Sequence, residues 1–270
     1  SDITLGQYFP QKSLLHRVGP RMKICLVVYA IVLLFVAGNF ASLALAVLYI
    51  GLGMALSNIP WKLYARSVKP ILFLVVFTAV LNIFYGTGEP LWQFGFLRIT
   101  RNGILNCVFV SVRIVALILA SSVLTFTTSP TQLTDAIERL LKPLAKLRVP
   151  VHEFAMMMTI ALRFVPTLLE ETDKIMAAQK ARGADMESGG ITQRIRALVP
   201  VLIPLFVSAF RRAFDLATAM ESRCYHGGEG RTKMKSLHFQ KADWAVLASA
   251  VLWLGAFVLL QVLVPPTIRL

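Results

Sequence analysis

The chain has 270 residues, 56% of them hydrophobic and only 16% charged, with a mean hydropathy of +0.67. A water-soluble domain carries about 25% charged residues, so an ordinary soluble enzyme is excluded, and so is disorder, which needs low hydrophobicity. The 28 Lys and Arg against 14 Asp and Glu leave a charge of +14, which in so apolar a chain belongs to the cytoplasmic flanks of membrane spans rather than to a nucleic-acid surface.

Residues 1–23 are polar, with Lys12, Arg17, Arg21 and Lys23 among them. They lack the early apolar core of a cleaved signal, so the first span is expected to stay as an anchor. A span needs about 20 mostly apolar residues, and five stretches qualify at differing strength: Ile24 to Gly38, Phe40 to Leu56, Ile71 to Tyr85, Ile104 to Phe126, and Trp244 to Val264, the first three short enough that their ends are expected to extend into the flanks. Trp244 opens the last as an interfacial anchor. The connections on one side (residues 1–23, the link holding Lys62, Arg66 and Lys69, and residues 127–242) carry 24 basic residues. The other side carries three: Arg98, Arg101 and Arg269. That asymmetry predicts a cytoplasmic N-terminus and an outside C-terminus. The expected organisation is residues 1–126 with four transmembrane helices, a cytoplasmic helical block over 127–242, and a final span in 243–270. The fold class is an all-α integral membrane protein.

The block opens on Ser129-Pro130-Thr131-Gln132, which fits a capping box with Pro at the first helical position. Leu133, Ile137, Leu140, Leu141 and Leu144 then share one helix face, and this helix ends before Pro150. A second helix is expected over Val151 to Arg182, with a kink at Pro166, and a third over Ile191 to Tyr225, with Pro200 and Pro204 near its start. Their apolar patches, Phe154 to Leu162 and Ala197 to Phe210, are too short to cross a bilayer comfortably. They read as helices at the membrane's inner face that pack on a hydrophobic partner, or else on each other.

Both long helices end alike. The second closes on Ala181-Arg182-Gly183 and the third on Ser222-Arg223-Cys224, each a small-Arg-small signature at a helix C-terminus. Two readings stand on spacing alone. The arginine complements the helix dipole, or it is the one long charged fork on a close-approach surface, free to grip a partner's carboxylate.

These paired signatures resemble the X-Arg-X motifs of the transmembrane T component of energy-coupling factor (ECF) transporters, the CbiQ/EcfT family. Gly6-Gln7-Tyr8, Ser13 to Arg17, Pro20-Arg21-Met22-Lys23, Thr127-Thr128-Ser129-Pro130 and Gly227 to Thr232 are similar to that family's pattern, so the likeness covers nearly the whole chain. Ser-Arg-Cys departs from the commoner Ala-Arg-Gly. The resemblance implies an energy-coupling subunit of an ABC importer for vitamins and related micronutrients in the bacterial plasma membrane. Its partners would be two ATPase subunits and a membrane-embedded substrate-binding S component. It implies two coupling helices whose ends, Ala181, Arg182, Gly183 and Ser222, Arg223, Cys224, each dock on one ATPase, and greasy faces that hold the S component. Met156, Met157 and Met158, with Leu202, Leu205 and Phe206, are the candidates for that surface. Met suits a surface that repacks against different partners; core packing is the alternative for the Met triad. A dedicated cobalt or nickel importer is the runner-up within the family.

The residues agree with a subunit that does no catalysis. The chain has no G-x-x-x-x-G-K-[ST] loop, so ATP and Mg are expected on the partner ATPases and no cofactor on this chain. Cys25, Cys107 and Cys224 are scattered, and His16, His152, His226 and His238 show no ligand spacing. A self-contained secondary transporter would want intramembrane ionisable sites, and the five spans offer only Arg113. That residue reads as a lipid or S-component contact, or as a snorkelling or carbonyl-bonded structural group. Asn82 and Asn106 could bond between helices, and Arg211 and Arg212 are placed to pair with Asp215. Arg231, Lys233, Lys235 and Lys241 are expected at anionic headgroups.

Overall fold

A computed structural model describes residues 8–11, 13–84, 90–94, 97–147, 149–184, 190–227 and 241–264. In chain order the elements are α1 (Leu14–Arg17), α2 (Pro20–Val36), α3 (Phe40–Ser57) and α4 (Trp61–Val68), which turns through Lys69–Ile71 into α5 (Leu72–Phe84). Then come β1 (Pro90–Phe94), β2 (Leu97–Thr100), α6 (Arg101–Thr127), α7 (Pro130–Leu141), α8 (Val151–Ala181), α9 (Ile191–Glu221) and α10 (Lys241–Leu263). The chain divides into two compact units, Ser1–Ala136 with Ser236–Leu270, and Ile137–Lys235. Gly6, Gln7, Asp185, residues 228–235 and His238 lie outside the described residues, and so do the side chains of Arg98 and Lys241.

Among the described residues, five helical stretches are long and apolar enough to cross a membrane: Phe40–Ser57, Trp61–Ile83, Arg101–Thr127, Ile195–Glu221 and Asp243–Leu263. Four coincide with spans read from the sequence. The difference lies in α2 and α9. With 17 residues α2 is short for a span, whereas α9 runs unbroken through Pro200 and Pro204, so its apolar stretch reaches well beyond residues 197–210. Among the described residues the elements are helical apart from a small hairpin, in which β1 pairs antiparallel with β2 with an irregularity between Pro90 and Trp92. Leu97-Arg98-Ile99-Thr100 alternates apolar and polar residues in the strand manner.

The first unit is built around α6, which lies against α2, α3, α4 and α5, while α10 lies against α2 and α3. Its core joins Leu33 and Leu34, Leu43, Ile50 and Met54, Tyr64, Phe109 and Phe126, and Phe257. Ala30, Ala46, Ala116 and Ala120 are buried between these helices, as expected where lipid supplies no hydrophobic drive and close backbone approach must do so. Gly103 is the tightest such point: a Cβ there would stand 2.9 Å from the Ile83 carbonyl oxygen and 3.0 Å from that of Asn82. Asn82 itself donates to Thr78 O on its own helix at 2.8 Å rather than to a neighbouring helix.

Polar side chains and one backbone amide close the helix ends, where carbonyls would otherwise face hydrocarbon. At one end of α6, Phe9 N donates to Phe126 O at 3.0 Å and the Lys23 ammonium to Thr127 O at 2.8 Å. Midway along α6, Arg113 Nη2 donates to Ala37 O at 2.7 Å while its guanidinium carbon stands 4.7 Å over the Phe109 ring. The carbonyl-bonded role is therefore the one Arg113 takes: it caps the C-terminus of α2. The two bonds lie fourteen residues apart on each helix, so α2 and α6 run antiparallel and are joined at two points about 21 Å apart along their length. Asn39 adds bonds to Leu260 O and Val264 O, and Asp243 Oδ1 accepts from Gly19 N at 2.8 Å, an anion on the N-terminus of α2.

Candidate functional site

The second unit is dominated by α8 and α9, each 31 residues long. They form because no glycine interrupts either run, and both continue through internal prolines. The capping box expected at the head of α7 is present: Gln132 N donates to Ser129 Oγ and Ser129 N to Gln132 Oε1.

α8 and α9 pack antiparallel. Ile160, Phe164 and Leu168 line the same apolar crevice as Met220, Leu216 and Arg212. Farther along, Glu171 accepts from Ser208 Oγ and from Arg212 Nη2 at 2.9 Å, and Gln179 Nε2 donates to Pro200 O at 3.4 Å. The last bond has a backbone cause. Pro204 has no N–H, so the carbonyl four residues earlier lacks its helical donor, and Gln179 from α8 supplies one. Arg212 thus reaches Glu171 on the other helix, not the neighbouring Asp215 that sequence spacing favoured. Hydrogen bonds from Ser208, then from Arg212, hold the Glu171 carboxyl below its ordinary range.

The two small-Arg-small signatures end their helices by the same turn. In the first, Gly183 takes φ +88°, Gly183 N donates to Lys180 O and Ala184 N to Gln179 O, both at 3.0 Å. In the second, Cys224 takes φ +54°, Cys224 N donates to Glu221 O at 2.8 Å and Tyr225 N to Met220 O at 3.1 Å. This is the left-handed Schellman ending, for which glycine is the usual residue. Each arginine immediately precedes the left-handed residue, so each is fixed at the last moment before the chain leaves the helix. Ala181, Arg182, Gly183, Ser222, Arg223 and Cys224 are all exposed. The antiparallel register puts residue 223 beside about residue 157 of α8, so Arg182 and Arg223 lie at opposite ends of the pair, about 40 Å apart along it.

The candidates for a greasy partner surface are not all brought together. Met157 and Met158 are exposed on α8 and Met156 is half-buried, near the Arg223 end. Leu202 and Phe206 are exposed and Leu205 is half-buried on α9, about 25 Å farther along the pair. The exposed apolar stripe on α9 is longer than the sequence reading gave it, running through Ile195, Val199, Leu202, Phe206, Phe210 and Phe214. A recurrence every three or four residues was the available signal; it was obscured by charged residues interleaved from Arg211 onward. The Glu171 brace and the Gln179 bond left no signal beyond the Pro200-x-x-x-Pro204 spacing.

Residues 11–234 match the CbiQ family, described as a cobalt transport protein. Over 260 residues the chain is 50% identical to the energy-coupling factor transporter transmembrane protein EcfT of Ruminiclostridium cellulolyticum, covering 96% of this chain and 97% of that one. It is 51% identical to the EcfT of Acidaminococcus fermentans over 97% of each chain, and 45% identical to that of Bacillus subtilis over 93% and 95%. The chain belongs to the CbiQ/EcfT family. It is accordingly an energy-coupling transmembrane subunit of ECF transporters and a multi-pass protein of the bacterial membrane, as the sequence resemblance implied. In this EcfT-family chain the small-Arg-small signatures are the two capped ends of an antiparallel helix pair.

Proposed function

We propose that the chain carries conformational work from two ATPase subunits, through α8 and α9, to a membrane-embedded S component that binds a vitamin or related micronutrient. Arg182 docks one ATPase and Arg223 the other. The observation that carries this reading is the repetition of one geometry: the same left-handed turn fixes an exposed arginine at each of two ends about 40 Å apart. A dipole-complementing cation needs no such duplication, whereas two bodies that approach and separate need two rigid, widely spaced handles. The cross-braces Glu171–Arg212 and Gln179–Pro200 support it, because they make the pair a lever rather than two independent helices.

The chain is non-catalytic in this reading. ATP and Mg sit on the ATPases, which is in keeping with the absence of a phosphate-cradling loop from the sequence. Positive-inside counting puts the N-terminus and the arginine-tipped ends in the cytoplasm and the C-terminus outside. The S component rests on exposed apolar residues of α8 and α9, with Met156 to Met158 and Leu202, Leu205 and Phe206 as separate patches. The match to a family described as cobalt transport favours one second reading, a dedicated cobalt or nickel importer.

The test is copurification from detergent followed by intact-complex mass spectrometry. The parent chain should bring two ATPase subunits, and Arg182→Glu with Arg223→Glu should lose both while the helical content of the chain is unchanged. ATPases that stay bound to the double variant overturn the docking role. The mass of the bound substrate or ion separates the vitamin and metal readings.

A further inference from the structure

Within the first unit a narrow apolar groove of about 160 Å³ runs between α2, α3, α6 and α10. Leu26, Leu124 and Trp253 are among its walls, and the exposed Leu52 and Leu56 stand at its rim. Gly53 lines it too, and a Cβ there would meet nothing within 4 Å. Missing side-chain volume at Gly53 thus helps keep the groove open. Its lining is almost wholly apolar, so water finds few polar partners along it.

One residue breaks the apolar lining. Lys23 closes the end of the groove beside Thr127 and is only 4% exposed. An ammonium has three N–H donors. Among the described residues its acceptor is the Thr127 carbonyl, with no carboxylate in ion-pair range. A buried cation needs an anion or a full set of acceptors, and one carbonyl is neither. The guest therefore has two parts, a thin apolar rod and an anionic head, and three of the four helices around the groove, α3, α6 and α10, are long and apolar enough to cross a membrane.

We propose that this groove holds an acyl chain of an anionic phospholipid whose headgroup phosphate pairs with Lys23. The lipid fills the space left by Gly53, supplies the missing counter-charge, and packs α10 against α2 and α3. The inference does not depend on how the ATPases dock, since it concerns only the first unit.

Trp253 on the groove wall provides the readout. The full chain with Trp61, Trp92 and Trp244 changed to Phe is placed in phosphatidylcholine nanodiscs containing a small fraction of dibrominated lipid, either phosphatidylglycerol or phosphatidylcholine. Quenching of Trp253 should reach half its maximum at about fivefold less brominated phosphatidylglycerol than phosphatidylcholine, the factor expected of one lysine near an anionic head. Lys23→Gln should abolish that preference and Lys23→Arg should keep it. Gly53→Leu, which fills the groove without touching Lys23, should suppress quenching by both lipids. Equal quenching by the two lipids in the parent, a preference that survives Lys23→Gln, or undiminished quenching in Gly53→Leu would each overturn the proposal. If Lys23→Gln does not fold, Gly53→Leu and Lys23→Arg still decide it.

Discussion

Exchanging the left-handed residues of the two helix ends should move their local stabilities in opposite directions. Cys224 sits at φ +54°, where a side chain costs about 1–2 kcal/mol. Cys224→Gly removes that cost but adds about 0.5–1 kcal/mol of unfolded-chain entropy. The net is a gain of about 0.5–1 kcal/mol at the Arg223 end. Gly183→Ala reverses the balance at φ +88°, and because a Cβ at Gly183 meets nothing within 4 Å, the whole loss is backbone strain rather than a clash. Amide hydrogen exchange of the purified chain reads each end separately. Residues 224 and 225, bonded to Glu221 O and Met220 O, should exchange about threefold more slowly in Cys224→Gly. Residues 183 and 184 should exchange faster in Gly183→Ala. Exchange at residue 225 that is unchanged or faster in Cys224→Gly would refute the claim that this turn, rather than the surrounding sequence, fixes the arginine.

Gly103→Ala should destabilise the chain by about 1–3 kcal/mol, because the new methyl meets backbone oxygens that cannot swing aside. Gly51→Ala, with open space around it, should leave the unfolding temperature in detergent unchanged or raised, and equal effects from the two would contradict the packing of α5 on α6. Gln179→Ala should cost about 0.5–1 kcal/mol in the parent and close to nothing in a Pro204→Ala background, where residue 204 regains an N–H for the Pro200 carbonyl; additivity in that thermal-unfolding cycle would rule the bond out. The Glu171 carboxyl is held below its ordinary value of 4.5, so its stabilising effect is complete above that value and is lost as pH falls through the lowered one. The parent should therefore unfold at a higher temperature than Glu171→Gln at neutral pH, and the gap should close on acidification; a gap that does not change with pH would remove the ion pair from the account.

Hydropathy alone marked four of the apolar helices, since each is a run long enough to satisfy its own backbone in lipid. The same local logic located α7, α8 and α9 and the two arginine signatures, because caps, prolines and glycines act within a few residues of where they stand. It gave α9 too short an apolar stretch, because the stripe is periodic rather than continuous, and it failed for Arg212, whose nearest carboxylate in sequence is Asp215 but whose partner in space is Glu171. It left Arg113 open between lipid and carbonyl because the answer, the end of α2, lies 76 residues away. Composition, spacing and capping thus determined that this is a helical membrane protein with two long, like-ended helices. Tertiary structure decided which side chains brace those rods, how far apart their arginines stand, and where a lone buried lysine meets an open groove. Those outcomes rest on contacts between residues far apart in the chain, and no local propensity encodes them.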